Sequence, residues 1–203
     1  MTSAPTTRER IRKEAAALFR RKGFNGTSMA ELANEVGITK SSLYHHFSSK
    51  QALLSEIIEV TVSRVTPLLE AVAESDLPIA ERLGRAVALH TVEAIHDRDA
   101  VACFIEEGRY LAPDFMAAHV AKRDRYEAIF RHMFEEGIAS GEFVEQDVGL
   151  AVKAILGMCN SAVRWYQPGG GHTAEEIASE FARFAVGGAA APRLLPLVEE
   201  LAQ

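Results

Sequence analysis

Two cysteines, one tryptophan and no long apolar run stand in a chain of 203 residues, and each scarcity excludes something. Cys103 and Cys159 lie far apart in apolar helical patterns with no CxxC or Cys/His ligand spacing, so neither a disulfide framework nor a zinc site is expected. No stretch reaches the roughly 18 continuous apolar residues of a membrane span, and the opening "MTSAPTT" has no apolar segment behind it. A cytoplasmic chain without a membrane partner is expected, its residues 1–6 mobile. Alternating strand patterns are missing, and so is a Gly-rich phosphate loop. No catalytic residues are expected either. The acid pairs Glu106-Glu107 and Glu135-Glu136 are helix neighbours that diverge, and no Ser or Cys stands in a nucleophile elbow.

What is present is an ordinary globular composition, 48% hydrophobic and 25% charged, with an uneven charge distribution. Residues 1–50 carry nine Lys or Arg against four acids, whereas the remainder carries thirteen against twenty-four, for a net charge of −6. A basic head on an acidic body suits a protein whose head alone meets a polyanion.

The head reads as three helices. "RERIRKEAAALFRRKG" puts Ile11, Ala15, Leu18 and Phe19 on one face, and Gly23 ends it. "SMAELANEVG" opens with the capping-box spacing Ser28-x-x-Glu31, carries Met29, Leu32, Ala33 and Val36, and stops at Gly37. A third helix starts near Thr39 after a tight turn, which makes a helix-turn-helix arrangement. In "ITKSSLYHHF", Leu43 and Phe47 are four apart and face inward, so Lys40, Ser41, Tyr44 and His45 project from the other side. Small hydroxyls and donors at a helix start suit a DNA groove: Ser41 and Ser42 for base edges or phosphates, Tyr44 for stacking or a phosphate. Lys40, Lys50 and the N-terminal arginines are expected to supply counter-charge. His45 and His46 point about 100° apart and are not expected to chelate a metal.

The run "GFNGTSMAELANEVGITKSSLYHHFSSKQALL", Gly23 to Leu54, resembles the DNA-binding domain of the TetR family of bacterial transcriptional regulators. The resemblance implies an all-α homodimer with a helix-turn-helix DNA-binding domain over 1–48 and an effector-binding and dimerisation domain over 49–203. It implies two recognition helices on double-stranded operator DNA of pseudo-palindromic sequence, released by a small-molecule effector. Carried over by position, Thr27, Ser28, Thr39, Lys40, Ser41, Ser42, Tyr44, His45 and Lys50 are the expected DNA contacts, with Lys40 and Tyr44 foremost.

The body reads as further helices. A connector from Ser49 carries Leu53, Leu54, Ile57, Ile58, Thr61 and Val65, with an end or kink expected around residues 64–66 because Pro67 removes a hydrogen bond. "SDLPIAERLGRAVALHTVEAIH" and "RDAVACFIEEGRYL" follow, then a long helix opened by Pro113 and closed by Gly141, one capped by Asp147, and one opened by Thr173-x-x-Glu176. Ile155, Met158 and Ala162, with Ile177, Phe181, Phe184 and Ala185, offer apolar faces for a four-helix dimer contact or for the subunit's own core. A short tail helix from Pro192 is one reading of "APRLLPLVEELAQ".

"AVRWYQPGGGHTAEEIASEFARFAVGG" resembles the terminal helix pair of a TetR subgroup that senses acyl-CoA thioesters of catabolic pathways. That resemblance assigns Arg164 to a CoA phosphate and Trp165 or Tyr166 to a stacking surface, although an aromatic pair beside a turn also fits plain packing. The subgroup's steroid-CoA sensors carry Arg and Trp where Leu156 and Asn160 stand here, which points away from a sterol-derived ligand. Tyr126, Phe130 and Met133 at i, i+4, i+7, together with Met158, are candidates for a ligand wall or for core. Arg109 is a candidate for a ligand contact or for an ion pair with Glu106. No cofactor is expected beyond the effector. A non-CoA hydrophobic ligand, or a constitutive DNA-binding protein, are the alternatives.

Overall fold

The structure, a computed structural model, describes residues 4–190, and among these every regular element is helical. The head comprises α1 (Thr7–Lys22), α2 (Met29–Val36) and α3 (Lys40–His46). The body comprises α4 (Lys50–Ala73), α5 (Ile79–His96), α6 (Arg98–Ala102), α7 (Pro113–Ser140), α8 (Val148–Trp165) and α9 (Ala174–Ala190). The tail helix considered from Pro192 lies outside the described residues.

Local chemistry accounts for most boundaries. Thr39, Ser49 and Asp147 each accept a hydrogen bond from the backbone N–H three residues on, at 3.1, 3.1 and 2.9 Å, and so start α3, α4 and α8. Thr173 and Glu176 form the full reciprocal box. At α2 only half of the expected box forms: Ser28 accepts from Glu31 N, while the Glu31 carboxylate turns to Lys22. A box not anticipated from the sequence starts α1, where Glu9 Oε2 accepts from Thr6 N at 2.7 Å. Thr6 thereby caps α1; of the residues 1–6 expected to be mobile, 1–3 lie outside the described residues. Gly37 adopts φ 75°, ψ 34°, the left-handed cap that permits the abrupt turn from α2 into α3.

Helix α4 continues through Pro67 to Ala73, against the end expected near residues 64–66. Burial explains this. Val62, Val65, Thr66 and Leu69 are all enclosed by the body, and that packing outweighs one missing backbone bond. The apolar core of the head does not stop at residue 48: Leu53, Leu54, Ile57 and Ile58 of α4, with Ala100, Cys103 and Leu111, complete it. A second core lies between α4, α5, α7, α8 and α9.

After α6 the chain continues as a wide π turn, Cys103–Glu107, then a 3-10 turn, Gly108–Tyr110. Such turns re-aim successive side chains and recur where a helix serves two neighbours. Here the segment touches both the head and the body.

Close packing leaves no room for a side chain at one glycine of α7. A Cβ on Gly137 of α7 would sit 2.1 Å from the ring of Phe143, which is buried against Phe134. Gly137→Ala is expected to destabilise the fold by about 1–3 kcal/mol despite alanine's better helix propensity, because overpacking outweighs that gain. A denaturant titration checks it, and a stabilised variant would show that Phe143 moves aside freely.

Candidate nucleic-acid interface and internal cavity

Leu43 and Phe47 anchor α3 in the head, at 0% and 2% exposure, and this orientation turns the opposite side of the helix outward. Lys40, Ser41, Tyr44 and His45 are exposed there, Ser42 is half-buried, and the lysine ammonium lies 5.9 Å from the centre of the Tyr44 ring. Ser28 and Thr39 stand at the N-termini of α2 and α3, both exposed. Each helix start carries a partial positive charge, a chemistry suited to phosphate oxygens. His45 and His46 meet edge to face with ring centres 5.8 Å apart.

Two expected contacts lie elsewhere. Thr27 is 2% exposed and its hydroxyl donates to Gly23 O at 3.0 Å, so it closes the loop before α2 instead of facing outward. Lys50 points back into the same loop. Its Nζ donates to Phe24 O at 2.6 Å and to Thr27 O at 2.7 Å and sits over the Phe24 ring at 4.3 Å. Burial there lowers its pKa. A cation satisfied by two carbonyls and a ring is a structural clasp.

The counter-charge of the head is likewise engaged. Arg8 and Arg12 share Glu56, Arg20 binds Asp99, Arg21 binds Glu35, Lys22 binds Glu31, and Arg10 donates to Val36 O. The Arg8 pair holds the Glu56 carboxyl below the usual carboxylate range. Of the nine cations in residues 1–50, Lys13 and Lys40 alone make no ion pair or hydrogen bond among the described residues. The excess of +5 therefore overstates the charge available to a polyanion, and Lys40 is the cation on the recognition face.

In the body, α4, α5, the π turn, α7 and α8 enclose a cavity of about 460 Å³. Its walls are largely apolar, with Val62, Val65, Ala94, Val101, Phe104 and Leu156. Ile105, Arg109, Arg123 and Lys153 line it while exposed to solvent, and so mark its mouth. Arg123 is paired with Asp124 and Glu127, but Arg109 and Lys153 have no carboxylate within 4.0 Å among the described residues. Arg109 instead stacks over Tyr110 at 4.9 Å, and its expected partner Glu106 pairs with Arg164.

Thr61, His119, Glu93, which pairs with Arg64, and Glu127, which pairs with Arg123 and Arg131, also line it, beside one hydrogen-bonded cluster. His90 Nδ1 lies 2.6 Å from Tyr126 Oη, and Nε2 lies 3.2 Å from Asn160 Oδ1. Enclosure by protein pushes the His90 imidazole down to about 4 and the Tyr126 phenol well up, so both are neutral at pH 7.

Of seven ligand-contact candidates, the cavity receives Arg109 and Tyr126. Phe130 and Met133 are at 0% exposure in the second core: the helix carries them one and two turns past the cavity, beneath α5 and α8. Met158 is half-buried in the same core. Arg164 and Trp165 are exposed at the end of α8, the indole meeting Phe181 edge to face and donating to Ser161 Oγ at 3.3 Å. Neither lines the cavity. Sequence reasoning did not single out His90, Arg123 or Lys153. The signal for His90 was a polar ring inside the apolar pattern "AVALHTV", which periodicity alone does not separate from a half-buried helix edge.

Residues 11–57 match the family described as bacterial regulatory proteins, tetR family, and residues 76–189 match the tetracyclin repressor-like C-terminal domain. The HTH-type transcriptional repressor KstR2 of Rhodococcus jostii (strain RHA1) is 29% identical over 181 residues, 88% of either chain. The TetR family transcriptional regulator PfmR from Thermus thermophilus is 34% identical with a TM-score of 0.81, covering 88% of this chain and 98% of that one. AibR, solved in complex with isovaleryl coenzyme A and operator DNA, shares the fold with a TM-score of 0.78 at 23% identity, covering 93% and 100%. The first match spans α1 to α3 and the start of α4, and the second runs from the loop before α5 to the end of α9. This chain belongs to the TetR family of bacterial transcriptional regulators, DNA-binding proteins and not enzymes.

Proposed function

We propose that the protein is a homodimeric repressor released from a palindromic operator when an acyl-CoA thioester fills the cavity. The observation that carries the reading is the cavity itself, an apolar chamber with two cations at its mouth, Arg109 and Lys153, that lack a carboxylate partner among the described residues. An acyl chain suits the walls and the anionic phosphates suit the mouth. Two relatives support it: KstR2 is a repressor, and AibR was solved with isovaleryl coenzyme A and operator DNA.

The segment 103–112 supplies the link to the head. Phe104, Ile105, Gly108 and Arg109 line the cavity. Their neighbours grip the head: Glu107 Oε2 accepts from Phe24 N at 3.2 Å, Tyr110 stacks on Phe24 at 6.1 Å, and Gln51 bridges Tyr110 O and Ala112 N at 2.6 and 3.0 Å. A ligand that shifts this segment tilts the recognition helix. A coupling of about 1–3 kcal/mol then changes operator affinity by one to two orders of magnitude. For the dimer, Ile155, Ala162, Ile177 and Ala185 are buried in the subunit, and the outward stripe is Leu150, Ala154, Gly157, Ser161 and Trp165 of α8 beside Phe184, Gly187 and Gly188 of α9. These small and apolar residues fit a second copy, placing two α3 helices about 34 Å apart on DNA.

The test is selection of genomic DNA on the purified protein, followed by operator affinity with a panel of acyl-CoAs, free CoA and free acids. Release by thioesters alone supports the reading. An operator bound equally tightly with every thioester would overturn it and leave a constitutive DNA-binding protein, and release by free acids alone would indicate a non-CoA hydrophobic effector. Tyr44→Ala and Lys40→Ala are each expected to weaken operator binding by about 10-fold or more with the dimer intact, and Lys40→Ala is also expected to lower the salt slope by roughly one unit, the signature of a single neutralised phosphate. Unchanged affinity in both would take α3 off the DNA.

A further inference from the structure

The His90 cluster is placed oddly for a structural element. It stands in the wall of the cavity, between α5, α7 and α8, and its members are contributed one from each helix. A wall meant only for hydrocarbon needs no buried amide, imidazole and phenol, since each costs desolvation unless fully hydrogen-bonded.

The hydrogen-bond inventory of the three groups shows what is left over. A neutral imidazole has one donor and one acceptor. With Asn160 Oδ1 facing Nε2, the ring donates to the amide oxygen and Nδ1 accepts the phenol proton. Both ring nitrogens are then engaged, while the Asn160 amide N–H groups and a lone pair of Tyr126 Oη have no partner in the protein among the described residues. Turning the amide reverses every bond of the chain and leaves the phenol proton and the amide oxygen instead. Either way the cluster keeps at least one donor and one acceptor, on residues that line the cavity. A hydroxyl on the ligand satisfies both, and a keto oxygen satisfies the donor. A carboxylate does not suit it, because the cluster offers no charge: the ring remains neutral at pH 7.

We propose that Asn160 and Tyr126, aligned by His90, form a subsite that selects effectors bearing a neutral oxygen substituent, hydroxyl or keto, on the acyl portion. The inference rests on the cavity being the effector site and deepens the thioester reading. Leu156 and Val65 line the same cavity and hold the flanking carbon chain, so the discrimination falls on the oxygen. His90 is a positioning residue, since both of its nitrogens are engaged.

The experiment compares binding of octanoyl-CoA, 3-oxooctanoyl-CoA and 8-hydroxyoctanoyl-CoA to the full-length protein by calorimetry, alongside free octane, 2-octanone and 2-octanol followed by thermal shift. At least one oxygenated probe is expected to bind about 10-fold or more tightly than its plain counterpart, because a site built to hydrogen-bond rejects an analogue that leaves its groups unpaired. Tyr126→Phe and Asn160→Leu are expected to abolish that preference while retaining or improving binding of the plain probe. Two substitutions on different helices guard against one that simply unfolds. Equal binding of plain and oxygenated probes by the wild type, or a preference that survives both variants, overturns the subsite and leaves the thioester reading standing. Preference among the free probes without binding of any thioester overturns the thioester reading and keeps the subsite. Failure of every probe to bind overturns both.

Discussion

Lys50→Met is expected to lower the stability of the head by about 1.5–3 kcal/mol and to leave the salt dependence of operator binding unchanged. Methionine fills the volume of the lysine stem but donates nothing to Phe24 O and Thr27 O, which now receive the ammonium at 2.6 and 2.7 Å. Hydrogen bonds to a charged donor contribute on that scale, and the two carbonyls would have only water in exchange. The loss propagates, because Phe24 also carries the Glu107 contact and the Tyr110 stack that join head to body. Affinity for the operator should therefore fall through loosening of the loop that ends at Ser28, and the logarithmic salt slope should stay as it was. A slope reduced by one unit with unchanged melting would instead put Lys50 on a phosphate.

Phe130→Ala should be more damaging still, at about 3–5 kcal/mol. The ring is at 0% exposure, underlies the His90 imidazole at 6.2 Å between centres and lies 6.1 Å from Tyr126. Truncation there leaves a void in a packed core in addition to the lost transfer energy. Urea denaturation at fixed protein concentration measures it, and a loss below about 1 kcal/mol would return Phe130 to the cavity wall as a ligand contact. The substitution also removes the floor beneath His90, so the variant that remains folded should bind effector less selectively.

These two residues show where the sequence was legible and where it was not. Lys50 is a lysine in the first turn of a helix beside the recognition helix, and from its position alone a phosphate contact was the natural expectation. Its partners Phe24 and Thr27 lie 26 and 23 residues away, and no local pattern reports the loop that folds over it. The same holds for Arg8 and Arg20 of α1, whose partners Glu56 and Asp99 are 48 and 79 residues distant. For Phe130, helical periodicity placed it on the face of Tyr126 correctly, but one face of a 28-residue helix meets a cavity at one level and a packed core at the next.

The helices, the starts of α2, α3, α4, α8 and α9, the helix-turn-helix and the outward side of α3 follow from the order of residues alone. They depend on caps, glycines and apolar spacing within about ten residues, interactions short enough to be written in the local run of side chains. Three-dimensional packing settles the rest: which cations remain available to DNA, which half of α7 lines the cavity, and that His90, Tyr126 and Asn160 meet. The cluster joins residues 36 and 70 apart and the Arg20 pair residues 79 apart, where the burial that fixes a side chain's partner comes from a helix the local sequence does not contain.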